Sequence, residues 1–179
     1  MHSNWWGLAL SALLAAPIAV AGELATQSFR DEHEEVRAHL AHVAESVGQL
    51  ARQDRAQQRK TAEQVTAFFE KHIRPHAEWE EQHLYPVIDR LAGTGEANRF
   101  TATMRHEHKV VGRWIDELRA ELEKPNPDFV AFSRRADNLL GLLSAHFEEE
   151  EEVLLPYADR KMTRAQFEQA VKLKGAGHR

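Results

Sequence analysis

The chain has 179 residues, about one domain's length, and its 42% hydrophobic and 28% charged residues can bury a core, which excludes disorder by composition. Lys and Arg number 23 against 28 Asp and Glu, so no basic excess points to a nucleic-acid partner. The absence of cysteine excludes disulfides, thiolate zinc sites, iron–sulfur clusters and cysteine nucleophiles, while 11 histidines stand out for a domain this size.

Residues 1–21 carry no Lys, Arg, Asp or Glu. Leu8 to Ala21 is an apolar run too short for a comfortable membrane span of about 20 residues. It ends in Ala19-Val20-Ala21 before Gly22, the small-x-small pattern that signal peptidase accepts. The expectation is a signal peptide over 1–21, a mature domain over 22–179, and a periplasmic or secreted protein. The rivals are an uncleaved hydrophobic foot, with Trp5 and Trp6 at a membrane interface, and an N-terminal helix packed on a cytoplasmic domain.

Behind this segment every pattern is helical. A first helix, Ser28 to Arg55, carries Phe29, His33, Val36, Leu40, Val43, Val47 and Leu50 at the four-three spacing of a bundle seam. Thr61 with Gln64 reads as a capping box opening a second helix. Its stripe is Val65, Phe69, Ile73, His76, Glu80, Leu84, Val87 and Leu91, and Gly93-Thr94-Gly95 ends it. The third carries Phe100, Met104, His108, Val111, Ile115, Leu118 and Leu122 and stops before Pro125. Asn126 with Pro127 reads as the start of the fourth, whose stripe is Phe129, Phe132, Ala136, Leu139, Leu143, His146, Glu150 and Leu154. Thr163 with Gln166 caps a short terminal helix. Four long amphipathic helices with short links predict an all-α, antiparallel, up-down-up-down four-helix bundle.

The second and fourth helices are near copies. A shift of 70 residues places His76 on His146, Glu80-Glu81 on Glu150-Glu151, Leu84 on Leu154, Pro86 on Pro156 and Asp89-Arg90 on Asp159-Arg160. Glu32-His33 and Glu107-His108 form a smaller pair on the first and third helices, so the chain reads as one helix pair repeated.

Six of the stripe positions are polar: His33, His76, Glu80, His108, His146 and Glu150. A buried unpaired carboxylate is costly, and no Lys or Arg lies on these stripes at that level. His-x-x-x-Glu puts both side chains on one helix face, a turn apart. Two such helices, with one histidine from each of the others, converge six ligands that suit iron, manganese or zinc. Six bulky ligands crowd one ion and suit two ions bridged by the glutamates.

At Glu32-His33, His76-Ala-Glu-Trp-Glu80, Glu107-His108 and His146-Phe-Glu-Glu-Glu150, with the blocks ending Leu84-Tyr85-Pro86 and Leu154-Leu155-Pro156, the sequence resembles the hemerythrin-like, or HHE cation-binding, family over Ser28 to Arg160. The resemblance implies two iron ions in an oxo- or hydroxo-bridged centre, Glu80 and Glu150 as bridges, and His33, His76, His108 and His146 as terminal ligands. The oxygen carriers of that family have His-x-x-x-His on the third helix. Here Met104 and Gly112 stand four residues either side of His108, so that fifth histidine is missing. The vacancy predicts an open position beside Gly112, walled by Val111, Ile115 and Leu143.

His39, His42 and His106 read as surface residues, and His72 and His83 as boundary residues, with a fifth ligand as the alternative for these two. In the acidic run Glu148 to Glu152 the stripe predicts that only Glu150 faces inward. The function expected is binding of dioxygen or a related small ligand, for sensing, delivery or scavenging. The alternatives are a di-iron enzyme acting on peroxide, oxygen or nitric oxide, and an iron store or donor.

Overall fold

A computed structural model describes residues 24–171, which are helical throughout with no strand among them. The boundary proposed at residue 21, and the leader before it, lie outside the described residues. Among those described, no helix is long and apolar enough to cross a membrane.

The first helix spans Gln27–Gln49 and closes with a 3-10 turn, Leu50–Arg52. The second runs over 55–92, the third over Ala102–Glu123, the fourth over 129–161 and a short fifth over Arg164–Val171. Two expected starts are corrected. The second helix opens six residues before Thr61, where Asp54 in extended conformation accepts from the Gln57 N–H at 3.0 Å. Thr61 is then buried inside the helix. The fourth begins after Asp128, not at Asn126, because the Asp128 carboxylate accepts from the Val130 and Ala131 N–H groups. In both places a carboxylate with extended backbone supplies the cap, which satisfies donors that a helix start leaves unpaired. Gly93 ends the second helix at φ +71°, the left-handed conformation that glycine adopts without strain. Thr163 and Gln166 exchange their capping hydrogen bonds as expected.

The second and fourth helices contain widened π turns at Phe69–Ile73, Glu80–Leu84 and Glu150–Leu154. Each ends two residues before a proline: Pro75, Pro86 and Pro156. Proline offers no N–H and its ring collides with the carbonyl four residues earlier, and a widened turn relieves both. Two of these turns start at Glu80 and Glu150.

The starts of the first and third helices are tied down by carboxylates from the ends of the fourth and second. Asp159 accepts from the Thr26 N–H at 3.0 Å and the Thr26 hydroxyl at 2.9 Å. Asp89 accepts from the Thr101 N–H at 2.9 Å and hydroxyl at 3.1 Å. This gives the repeated Asp89/Asp159 a structural role.

The helices bury two apolar clusters. One contains Leu40, Val47, Phe69, Ile73, Ile115, Phe132 and Leu143. The other contains Phe29, Leu84, Tyr85, Met104, Leu154 and Phe167. Along each of the four long helices the stripe passes from one cluster to the other across the His and Glu positions.

Candidate metal centre

All six polar stripe residues are buried in the layer between the apolar clusters. Glu80, Glu150 and His33 have no exposure, His146 has 1%, and His76 and His108 have 8% each. His33 Nε2 lies 3.5 Å from Glu80 and 3.5 Å from Glu150, and His76 Nε2 lies 2.8 Å from Glu80. Across the layer His108 Nε2 stands 3.1 Å from Glu80 and 3.0 Å from His146 Nε2. The ligand atoms of His33, His76 and Glu80 cluster closely enough to hold one cation, and those of Glu80, His108 and His146 closely enough to hold another.

Each ring turns Nε2 inward because its other nitrogen is engaged. His33 Nδ1 faces Glu151 at 3.1 Å, His76 Nδ1 Glu32 at 3.5 Å, His108 Nδ1 Glu81 at 3.3 Å and His146 Nδ1 Glu107 at 2.8 Å. An ionised carboxylate only accepts, so each Nδ1 carries a proton and Nε2 is the nitrogen that faces the centre, the orientation a metal ligand needs. The carboxylates run around the bundle in one direction, each serving a histidine on the following helix. The inward turn of Glu151 corrects the expectation that Glu150 alone of its acidic run faces the interior. Glu151 also accepts from Arg37 at 2.8 Å. Burial pushes its carboxyl up, yet Arg37 and His33 hold it below the usual range.

The two central carboxylates are driven apart in proton affinity. Burial pushes Glu80 up, but the charge of His76 and the contacts with His108 and His33 outweigh it and hold Glu80 well below the carboxylate range. Burial, then the charge of Glu80, pushes Glu150 well above it. Burial lowers His76, but Glu80 and Glu32 outweigh it and raise the imidazole well above its ordinary value. Burial carries His146 downward.

Five buried atoms of the cluster have no hydrogen-bond partner: His33 Nε2, His76 Nε2, both oxygens of Glu80 and Glu150 Oε2. The short His76–Glu80 approach is thus a contact of charges without hydrogen-bond alignment. Orphaned buried acceptors are costly, and these converge on one place, so the donor set fits metal cations.

Tyr85 was missed as a site residue. It is fully buried, and its hydroxyl donates to Glu150 Oε1 at 2.7 Å. The sequence offers it only as part of the Leu84-Tyr85-Pro86 block, one residue off the second helix's stripe. The other histidines stay outside. His72 is exposed and stacks on Phe68, and His83 leans on Trp79, so neither joins the cluster. His39, His42 and His106 are exposed.

An opening does lie beside Gly112, lined also by His108, Val111 and Ile115, but Leu143 is not among its walls. A Cβ at Gly112 would meet Arg74 Nη1 at 3.5 Å, and the Arg74 guanidinium bonds Glu70 and Asp116 at 2.9 Å each. Gly112 fronts a surface groove of about 530 Å³ between the second and third helices, with Arg74, Lys109 and Arg113 on its walls beside the apolar ones. Val111, Ile115 and Leu143 belong to the apolar core.

An all-helical chain with a buried His/Glu cluster defines a metal-binding helical bundle. The family model described as "Hemerythrin HHE cation binding domain" matches residues 24–158, and the chain belongs to that family. No curated protein and no solved structure matches it.

Proposed function

We propose that this is a hemerythrin-like di-iron protein that binds dioxygen or a related small ligand, with His33, His76, Glu80, His108, His146 and Glu150 as the metal ligands. The observation that carries the reading is the convergence of five orphaned buried ligand atoms with four histidines whose Nε2 faces the centre while Nδ1 is held by a carboxylate. Four histidines and two carboxylates leave two ferrous ions with a net positive charge, which suits binding of small, electron-rich ligands. When bound, the metal pair supplies redox electrons and open coordination positions. The chain supplies a buried layer between two apolar clusters, the orientation of the imidazoles and a hydroxyl proton at Tyr85. That buried hydroxyl favours a second reading, an enzyme that turns over oxygen, peroxide or nitric oxide, because turnover of such ligands consumes protons.

The order of the apolar clusters supports the antiparallel bundle. The first and third helices run from the Phe29 and Met104 cluster to the Leu40 and Ile115 cluster, and the second and fourth run in the opposite order. The uncharged apolar start and Ala19-Val20-Ala21 support export with cleavage before Gly22. N-terminal sequencing of native protein tests that reading, and a soluble form beginning at Met1 rejects it.

The decisive experiment is anaerobic loading with ferrous iron, exposure to air and visible spectroscopy beside metal analysis. Two irons per chain and a new oxo-bridge absorption are expected, with most metal lost in Glu80→Ala and in Glu150→Ala. One tightly held zinc, unaffected by Glu150→Ala, rejects the di-iron reading.

A further inference from the structure

The repeat gives the two halves of the cluster equal histidines, yet the two halves are not equivalent. Glu80 divides itself evenly: Oε1 approaches His33 at 3.5 Å and His76 at 2.8 Å, and Oε2 approaches His108 at 3.1 Å. Glu150 does not. Its Oε2 lies 3.5 Å from His33 and 3.7 Å from His146 and has no hydrogen-bond partner, whereas its Oε1 accepts the Tyr85 hydroxyl at 2.7 Å. The same hydroxyl stands 3.2 Å from His108 Nε2 and 3.5 Å from His146 Nε2. The residue 70 positions on from Tyr85 is Leu155, which is fully buried and has no polar atom in its side chain.

The orphaned atoms follow the same division. His33 Nε2 and His76 Nε2 have no partner, while His108 Nε2 and His146 Nε2 touch each other and the Tyr85 hydroxyl. A cation entering beside His33 and His76 meets ring nitrogens with no hydrogen bond to break. A cation entering beside His108 and His146 must take Glu150 Oε1 from its hydrogen bond or do without it, and must sit against the hydroxyl.

The geometry points to two unequal cation positions, with Tyr85 as the positioning residue that weakens the one at His108 and His146. This rests on the two-metal reading given above. The His33/His76 position fills first and holds its ion, and the His108/His146 position loads second and releases its ion more readily.

The test is titration of the metal-free full chain with cobalt(II), followed by visible absorption and by metal analysis after gel filtration. Wild type is expected to take two ions, the second at least about tenfold more weakly. His146→Ala keeps the tight ion, and His33→Ala keeps only the weak one. Tyr85→Phe preserves the ring in its apolar cluster and removes only the hydroxyl. It is expected to tighten the second step by about ten- to a hundredfold, the usual worth of a hydrogen bond to a charged group, and to leave the first unchanged. A second step that Tyr85→Phe leaves unchanged overturns the inference, since repulsion between the ions alone then accounts for the two steps. Loss of the second ion in Tyr85→Phe also overturns it, because the hydroxyl is then a ligand. Equal residual affinities in His33→Ala and His146→Ala overturn it as well. A wild-type protein that binds fewer than two ions rejects the two-metal reading itself.

Discussion

Four glutamates outside the central six hold the imidazoles: Glu32, Glu81, Glu107 and Glu151. Partners of this kind fix the tautomer and raise the basicity of a ligand, and their loss typically lowers metal affinity about 10–100-fold. His146 has the shortest such contact, 2.8 Å to Glu107, so Glu107→Gln is the informative variant. We expect a drop in affinity of that size, read by competition with a chelator, while the metal-free chain stays helical by circular dichroism. The six stripe residues were legible in the sequence because burial of four imidazoles and two carboxylates at one level has few explanations. Their partners were not. Glu32 and Glu107 each adjoin a histidine in sequence, but each serves a histidine on another helix, and only the packing shows which. Tyr85 hid for a related reason, since it adjoins the stripe at Leu84 without belonging to it, and only the packing places its hydroxyl.

Among the elements, the stripes predicted the helices and Gly93 predicted where the second one ends. The capping errors came from judging caps locally: Thr61 with Gln64 has the right spacing, but Asp54 starts the helix earlier and carries it through Thr61 without a break. The π turns were illegible because residues spaced by four, such as Glu80 and Leu84, read the same on an α turn and on a wider one. The shared starts of the first and third helices depend on contacts between distant residues, and they yield a stability prediction. Asp89 is buried and holds both the N–H and the hydroxyl of Thr101. Asp89→Ala should cost about 1–3 kcal/mol, the penalty for leaving such groups unpaired, measured by urea unfolding. The Asp128 cap gives a pH dependence. The Ala131 N–H, and then the Val130 N–H, hold its carboxyl below its ordinary value of 3.8. Because the folded value is depressed, its contribution is full above 3.8 and fades as pH falls through the folded value. Asp128→Asn keeps an acceptor and does not titrate. Wild type should melt above this variant at neutral pH, and the gap should close in acid.

At the scale of the whole molecule, the polar layer divides the apolar interior into two clusters, and the metal-free chain carries orphaned acceptors at its centre. A cation that binds the folded chain and has no preformed site in the unfolded one must raise stability by mass action. At free metal about a hundred times the dissociation constant the gain is about 2.7 kcal/mol. For a domain of this length that corresponds to a melting shift of about 5–10 °C. We expect iron(II) under anaerobic conditions to produce it and a chelator to reverse it. On the two-metal reading proposed above, Glu150→Ala should show little shift, since both ions would lose a shared ligand. If His33, His76, His108 and His146 ligate as proposed, the shift should also shrink as pH falls, because a ligating imidazole must be neutral. His76 sets the sensitive point: its partners raise its proton affinity well above the ordinary imidazole value of 6.5, so protons compete with metal there at higher pH than at a free histidine. Melts with and without metal across that range measure it. A shift of constant size from neutral pH into acid would show that the stabilising ion does not bind through these imidazoles.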